Sequence, residues 1–106
     1  MTRYDVAIAR RALAEIEITM AFLAKSSTAP SDRWYSRLRS AIESLQEHPE
    51  RCPLAPEAEW YEGELRELVI GNKRQVHRIL FEVRDQTVHI LRIRHASQNL
   101  LGLDEV

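Results

Sequence analysis

The strongest constraint on this chain is the stretch from Glu64 to His95, ELRELVIGNKRQVHRILFEVRDQTVHILRIRH. Three segments within it, 65–70, 76–83 and 87–94, are rich in Leu, Ile, Val and Phe. Two short polar turns separate them, Gly71-Asn72-Lys73-Arg74 and Arg84-Asp85-Gln86. Apolar, β-branched runs of this length cut by such turns predict an antiparallel meander. Successive side chains of a strand point to opposite faces, so the faces can be read from alternation. In the first strand Leu65, Glu67 and Val69 oppose Arg66, Leu68 and Ile70. In the second, His77, Ile79, Phe81 and Val83 form an apolar face, with Val76, Arg78 and Leu80 on the other. In the third, His89, Leu91, Ile93 and His95 alternate with Val88, Ile90, Arg92 and Arg94. One face of the sheet is expected to carry core and the other chemistry.

The preceding residues read as support for that sheet. Residues 3–8 alternate, with Tyr4, Val6 and Ile8 on one side, and predict a short first strand. From about Arg10 the period becomes helical: Leu13, Ile16, Met20 and Leu23 recur at three- and four-residue spacing, predicting a helix over 10–25. The segment Ser26-Ser27-Thr28-Ala29-Pro30-Ser31-Asp32 is a break rich in capping residues, with Pro30 suited to a first helical turn. A second helix is predicted to about Glu47, with Trp34, Leu38, Ala41, Ile42 and Leu45 as its stripe, stopped by His48-Pro49. The two helices form an αα-hairpin whose stripe packs on the sheet. Residues 49–63, with Pro49, Pro53 and Pro56, read as an ordered loop that Trp60 and Tyr61 anchor to the core. The fold class is therefore α+β, in the order β-α-α-β-β-β, in a single domain over 1–106. The tail 96–106 has no period. Leu100, Leu101 and Leu103 are its docking points, and its last residues are expected to be mobile.

No apolar run is long enough to span a bilayer, and MTRYDVAIARR has no signal-peptide core. Together with a single cysteine, Cys52, this predicts a cytoplasmic protein without membrane partners. Fifteen Lys and Arg against sixteen Asp and Glu leave the chain nearly neutral, unlike a dedicated nucleic-acid binder. The positive charge is nonetheless concentrated: Lys73, Arg74, Arg78, Arg84, Arg92 and Arg94 lie in 73–94, and nearly all of it is guanidinium, suited to phosphate or carboxylate. Arg66 and Arg78 stand among apolar neighbours at strand centres, where a charge is costly unless paired or used. Two readings stay open: an ion pair with Glu64, Glu67 or Glu82, or a phosphate-binding face. His95, closing the last strand, is placed for acid–base work near neutral pH. His48 and Cys52 do not make a metal site, because the prolines between and beside them prevent a shared helical face. Cys52 has no nucleophile signature, and there is no glycine-rich phosphate loop, so no metal and no cofactor is expected.

The order of these motifs, from Tyr4 through Leu45-Gln-Glu-His-Pro49, Leu65-Arg66-Glu67-Leu68 and Val76-His77-Arg78-Ile79-Leu80-Phe81 to Val88-His89-Ile90-Leu91-Arg92-Ile93-Arg94-His95, resembles the RelE/ParE toxins of type II toxin–antitoxin, or plasmid stabilisation, modules. The resemblance implies a growth-inhibiting bacterial toxin held by a cognate antitoxin in a hetero-oligomer. It also implies one of two activities. The RelE-like branch is a metal-independent endoribonuclease (mRNA interferase) acting on mRNA at the ribosome; the ParE-like branch inhibits DNA gyrase without cutting nucleic acid. For the first, the resemblance assigns Arg66 and Arg78 to phosphate stabilisation and His95 to proton transfer, with Glu62 or Glu64 as a base and Lys73, Arg74, Arg92 and Arg94 as RNA contacts. The lysine-rich set of the ribosome-dependent nucleases is absent here, and Ala96-Ser97-Gln98-Asn99 follows His95 where relatives carry Arg or Tyr. A degenerate toxin serving only as antitoxin partner is the third reading.

Overall fold

The computed structural model describes residues 3–106. Its elements are β1 (Asp5–Ile8), α1 (Arg10–Leu23), α2 (Ala29–Ser44), β2 (Arg66–Asn72), β3 (Gln75–Arg84) and β4 (Thr87–His95), with two 3₁₀ turns, Pro49–Arg51 and Pro56–Glu59, before β2. The expected α+β order is the one found. The sheet is mixed, in the order β1-β4-β3-β2: β2, β3 and β4 form the antiparallel meander, and β1 adds parallel to β4. The helical hairpin carries the chain from β1 at one edge of the sheet to β2 at the other, and β2 and β3 then lead back to β4 beside β1.

The turns carry the backbone chemistry of their sequences. Asp85 and Gln86 both take positive φ, the demand of a two-residue hairpin whose twist matches its strands. At the other hairpin Lys73 takes positive φ, and Gly71 before it does too. α2 ends at Ser44, three residues before the position predicted from its stripe. The N–H groups of Leu45, Gln46 and Glu47 bond to carbonyls three residues back, tightening the chain before His48 takes φ 52 ahead of Pro49.

The strand faces hold for β2 and β3 but not for β4. Phe81 pairs with Ile90 and Leu80 with Arg92, so Leu91 is an unmatched extra residue. This bulge flips the alternation. Val88 and Ile90 therefore lie with Ile93 in one core, whereas period two had separated them. That core joins Ile79 and Phe81 of β3 to Ile16 of α1 and Trp34 and Leu38 of α2.

The expectation of one apolar and one chemical face is also corrected. Leu80, on the other face, is fully buried with Leu65, Ala55 and Leu101. The 49–63 segment and the tail cover that side, and β3 is buried on both faces from His77 to Glu82. The tail is seated here: Leu101 is 1% exposed, and its carbonyl accepts from Trp60 Nε1 at 3.0 Å.

Candidate functional site

Arg78 lies at the centre of β3 on the face away from the helices, 7% exposed. Its Nη1 and Nη2 donate to the two carboxylate oxygens of Glu57 at 3.0 and 2.5 Å, and its Nε donates to Glu67 at 2.8 Å. Glu57 is fully buried and also accepts from the Leu101 N–H at 3.1 Å. Burial by itself would raise the Glu57 carboxyl. The Arg78 guanidinium and the Leu101 N–H outweigh it and hold the group below its ordinary value. Glu57 in turn raises the Arg78 guanidinium against its desolvation, and Glu67 adds to this. Of the three acids named from sequence as partners of Arg66 and Arg78, Glu67 pairs with Arg78 and Glu64 with Arg66, whereas Glu82 pairs with Arg84 at 3.0 Å. Glu57 was missed: it stands in an acidic run, and only the path of the 3₁₀ turn over the sheet selects it.

Arg66 is opposite Phe81 in the β2–β3 register, on the helix side. It donates to the Cys52 carbonyl at 2.7 Å and to Glu64 at 3.3 Å, pinning the first 3₁₀ turn to the sheet edge. Cys52 itself is buried, which pushes its thiol up although Arg51 and Arg66 oppose this.

His95 pairs with His77 in register, so both rings lie on the helix side, opposite to Arg78. The His95 Nε2–H donates to the Arg74 carbonyl at 2.7 Å. Its Nδ1 then accepts from the Ser97 N–H at 3.0 Å and the Ser97 hydroxyl at 2.7 Å. His77 is packed edge-on between His95, 5.0 Å away, and Trp34, 5.1 Å away. Trp34 Nε1–H donates to His77 Nδ1 at 3.2 Å. Burial, with His95 beside it, lowers His77 to about 4, against the opposing Gln75 backbone, so the ring is neutral at neutral pH. Sequence reading passed over His77 because its alternation placed it simply in the apolar face.

The three residues assigned to catalysis are therefore not brought together. Arg78 and His95 point to opposite sides of the sheet. Arg66 and His95 share a side, but their β3 partners, Phe81 and His77, are four residues apart, about 13 Å along the strand. Of the residues assigned to RNA, Lys73 and Arg74 are exposed in the β2–β3 turn. Arg92 lies just past the part of β4 that β1 covers. It is bound to Glu15 of α1 at 2.8 Å, and to the Glu105 carbonyl. Arg94 donates to the Asn99 carbonyl at 2.7 Å. Among the described residues no group of three His, Cys, Asp or Glu could hold a metal ion.

Comparison with known proteins agrees with this architecture. Residues 6–100 match the family described as ParE toxin of type II toxin-antitoxin system, parDE. Toxin RelE2 of Caulobacter vibrioides is 38% identical over 88 residues, spanning 83% of this chain and 90% of the relative. In structure the chain is similar to the chromosomal ParDE TA system from P. aeruginosa, with a TM-score of 0.68 at 16% identity over 88% of this chain and 96% of that one. This chain belongs to the RelE/ParE family of type II toxin–antitoxin toxins.

Proposed function

We propose that this toxin acts by occupying a protein target, in the manner of the gyrase-inhibiting branch, and does not cut RNA. The observation that supports this reading is the state of Arg78. Its guanidinium is buried beneath the tail, and its charge is already compensated by two carboxylates. They take three of its five N–H donors and leave it poorly placed to meet a developing phosphorane charge. His95, likewise, has both ring nitrogens engaged, so an acid–base role there would first require breaking two sets of hydrogen bonds. The family match to the ParE description points the same way.

The toxin works in the cytoplasm, bound in its inactive state to a cognate antitoxin. A groove between α1 and α2 of about 490 Å³, walled by Leu13, Ile16, Met20, Tyr35 and Ile42, suits an amphipathic antitoxin segment. Among the described residues no helix is long and apolar enough to cross a membrane.

The test sets a gyrase supercoiling assay beside a reconstituted translation reaction read by primer extension. Supercoiling inhibited with mRNA intact is the expected result. Ribosome-dependent cuts that vanish in His95→Asn would instead install the endoribonuclease reading, with Arg66, Arg78 and His95 rearranged on the ribosome. Neither effect would leave the degenerate partner.

A further inference from the structure

The two sets of bonds that keep His95 from an outside proton also aim it at a neighbour. The Arg74 carbonyl can only accept, so the ring proton sits on Nε2 and the lone pair on Nδ1. The Ser97 hydroxyl, 2.7 Å from Nδ1, must therefore donate to it. The Ser97 N–H, 3.0 Å from the same nitrogen, fixes the backbone that carries the hydroxyl. Ser97, His95 and a backbone carbonyl thus stand in the order nucleophile, base and orienting group, the arrangement that activates a serine. Ser97 is exposed, so its oxygen is open to an incoming molecule.

Ser97 and His95 line a cleft of about 500 Å³ bounded by α1, β3 and β4. This volume is within the range of small-ligand sites, roughly 300–1,000 Å³. Its apolar wall is Ile18 and Phe22 of α1, 69% and 59% exposed. The strand side carries amides. Gln98 Oε1 accepts from the His95 N–H at 2.8 Å, which leaves the Gln98 NH₂ to donate to an oxyanion formed beside Ser97. Gln75 supplies a second carboxamide to the lining. Glu15, the one carboxylate there, is neutralised by Arg92 and the Ile93 N–H, and no Lys or Arg lines the cleft. The space therefore suits an uncharged molecule with an apolar group, and offers nothing to a phosphate or a carboxylate.

We propose that Ser97 is a catalytic nucleophile, and that this cleft hydrolyses small uncharged carboxylic esters through an acyl-serine. Ser97 Oγ bonds to the ester carbonyl carbon as its proton passes to His95 Nδ1. The carbonyl oxygen becomes an oxyanion that the Gln98 NH₂ faces, and the imidazolium keeps its Nε2–H on the Arg74 carbonyl. The bond to the alcohol then breaks, and the alcohol leaves with the proton from Nδ1. Water adds to the acyl-serine by the same proton path, which releases the carboxylic acid and restores the Ser97 hydroxyl. Phe22 and Ile18 take the acyl chain. The activity uses no residue of the Arg78 cluster and stands independently of the target-binding reading.

The experiment treats the purified protein with diisopropyl fluorophosphate and locates the adduct by peptide mass spectrometry, beside hydrolysis of 4-nitrophenyl acetate and butyrate. The expected result is an adduct on Ser97, formed with loss of fluoride, and ester turnover that the adduct blocks. Ser97→Ala, a change in an exposed turn, should abolish both with the melting temperature little altered. His95→Gln keeps the hydroxyl but removes the base, and should slow labelling of Ser97 by about a hundredfold or more. Phe22→Ala should slow butyrate more than acetate, and Ser40→Ala should change nothing. No adduct on Ser97 in the unaltered protein would overturn the proposal, whatever the variants do. So would turnover that survives Ser97→Ala, or labelling of Ser97 at an unchanged rate in a folded His95→Gln.

Discussion

Arg78 is almost entirely buried, and the charge persists there because Glu57 and Glu67 compensate it and accept three of its N–H donors. Breaking such a pair from one side strands the other charge, so Glu57→Gln should lower unfolding free energy by about 3 kcal/mol, measured by urea denaturation. The apolar exchange Glu57→Leu with Arg78→Met should recover much of that loss. The pH dependence has a definite sign. Glu57 is lowered in the fold, so its contribution is complete above the ordinary carboxylate pKa of about 4.3 and is lost as pH falls through its folded value. His77 acts in a higher window. Its folded value of about 4 lies below the ordinary value of 6.5, so stability is full above pH 6.5 and declines from there to about 4. His77→Gln should flatten melting temperature across that interval, and an imidazole titration by NMR should place His77 at about 4, below the ordinary value of 6.5.

At the scale of elements, the β2–β3 hairpin depends on Gly71. It takes φ +93, and a Cβ there would collide with the Gln75 carbonyl, a backbone atom that cannot swing aside. Gly71→Ala should cost about 2 kcal/mol and displace the Lys73–Arg74 turn, seen as loss of the His95–Arg74 hydrogen bond in the imidazole spectrum. The bulge at Leu91 works on β4 in a comparable way. It turns Ile93 and His95 to the helices after Val88 and Ile90, and it leaves the Ile93 N–H to Glu15. Deleting Leu91 would put Ile93 two positions after Ile90 and so keep both on the helix side in strict alternation; that variant should retain the fold, as read by far-UV circular dichroism.

For the whole molecule, the sheet is a middle layer. The hairpin packs on one side, and the loop and tail close the other around Leu80, Leu65 and Leu101. Leu101→Ala should cost about 3 kcal/mol by leaving a cavity in the smaller core. It should also increase binding of an apolar dye, because the tail that roofs Glu57 and Arg78 loses its anchor.

The element order was legible from periodicity and turn chemistry, because a helical stripe such as Trp34, Leu38 and Leu45 and hairpin residues such as Asp85-Gln86 act within a few residues of chain. The parallel seat of β1 beside β4 was not, since its partners lie some eighty residues away in sequence and no local pattern names them. The candidate residues Arg66, Arg78 and His95 could be picked out by type and position. Their separation onto different faces and ends followed from register, and the pairing of Arg78 with Glu57 from the route of a loop across the sheet. A one-dimensional pattern reports which side chains want burial or charge; which carboxylate reaches which guanidinium is a distance, and distances between remote segments exist only once the chain has packed.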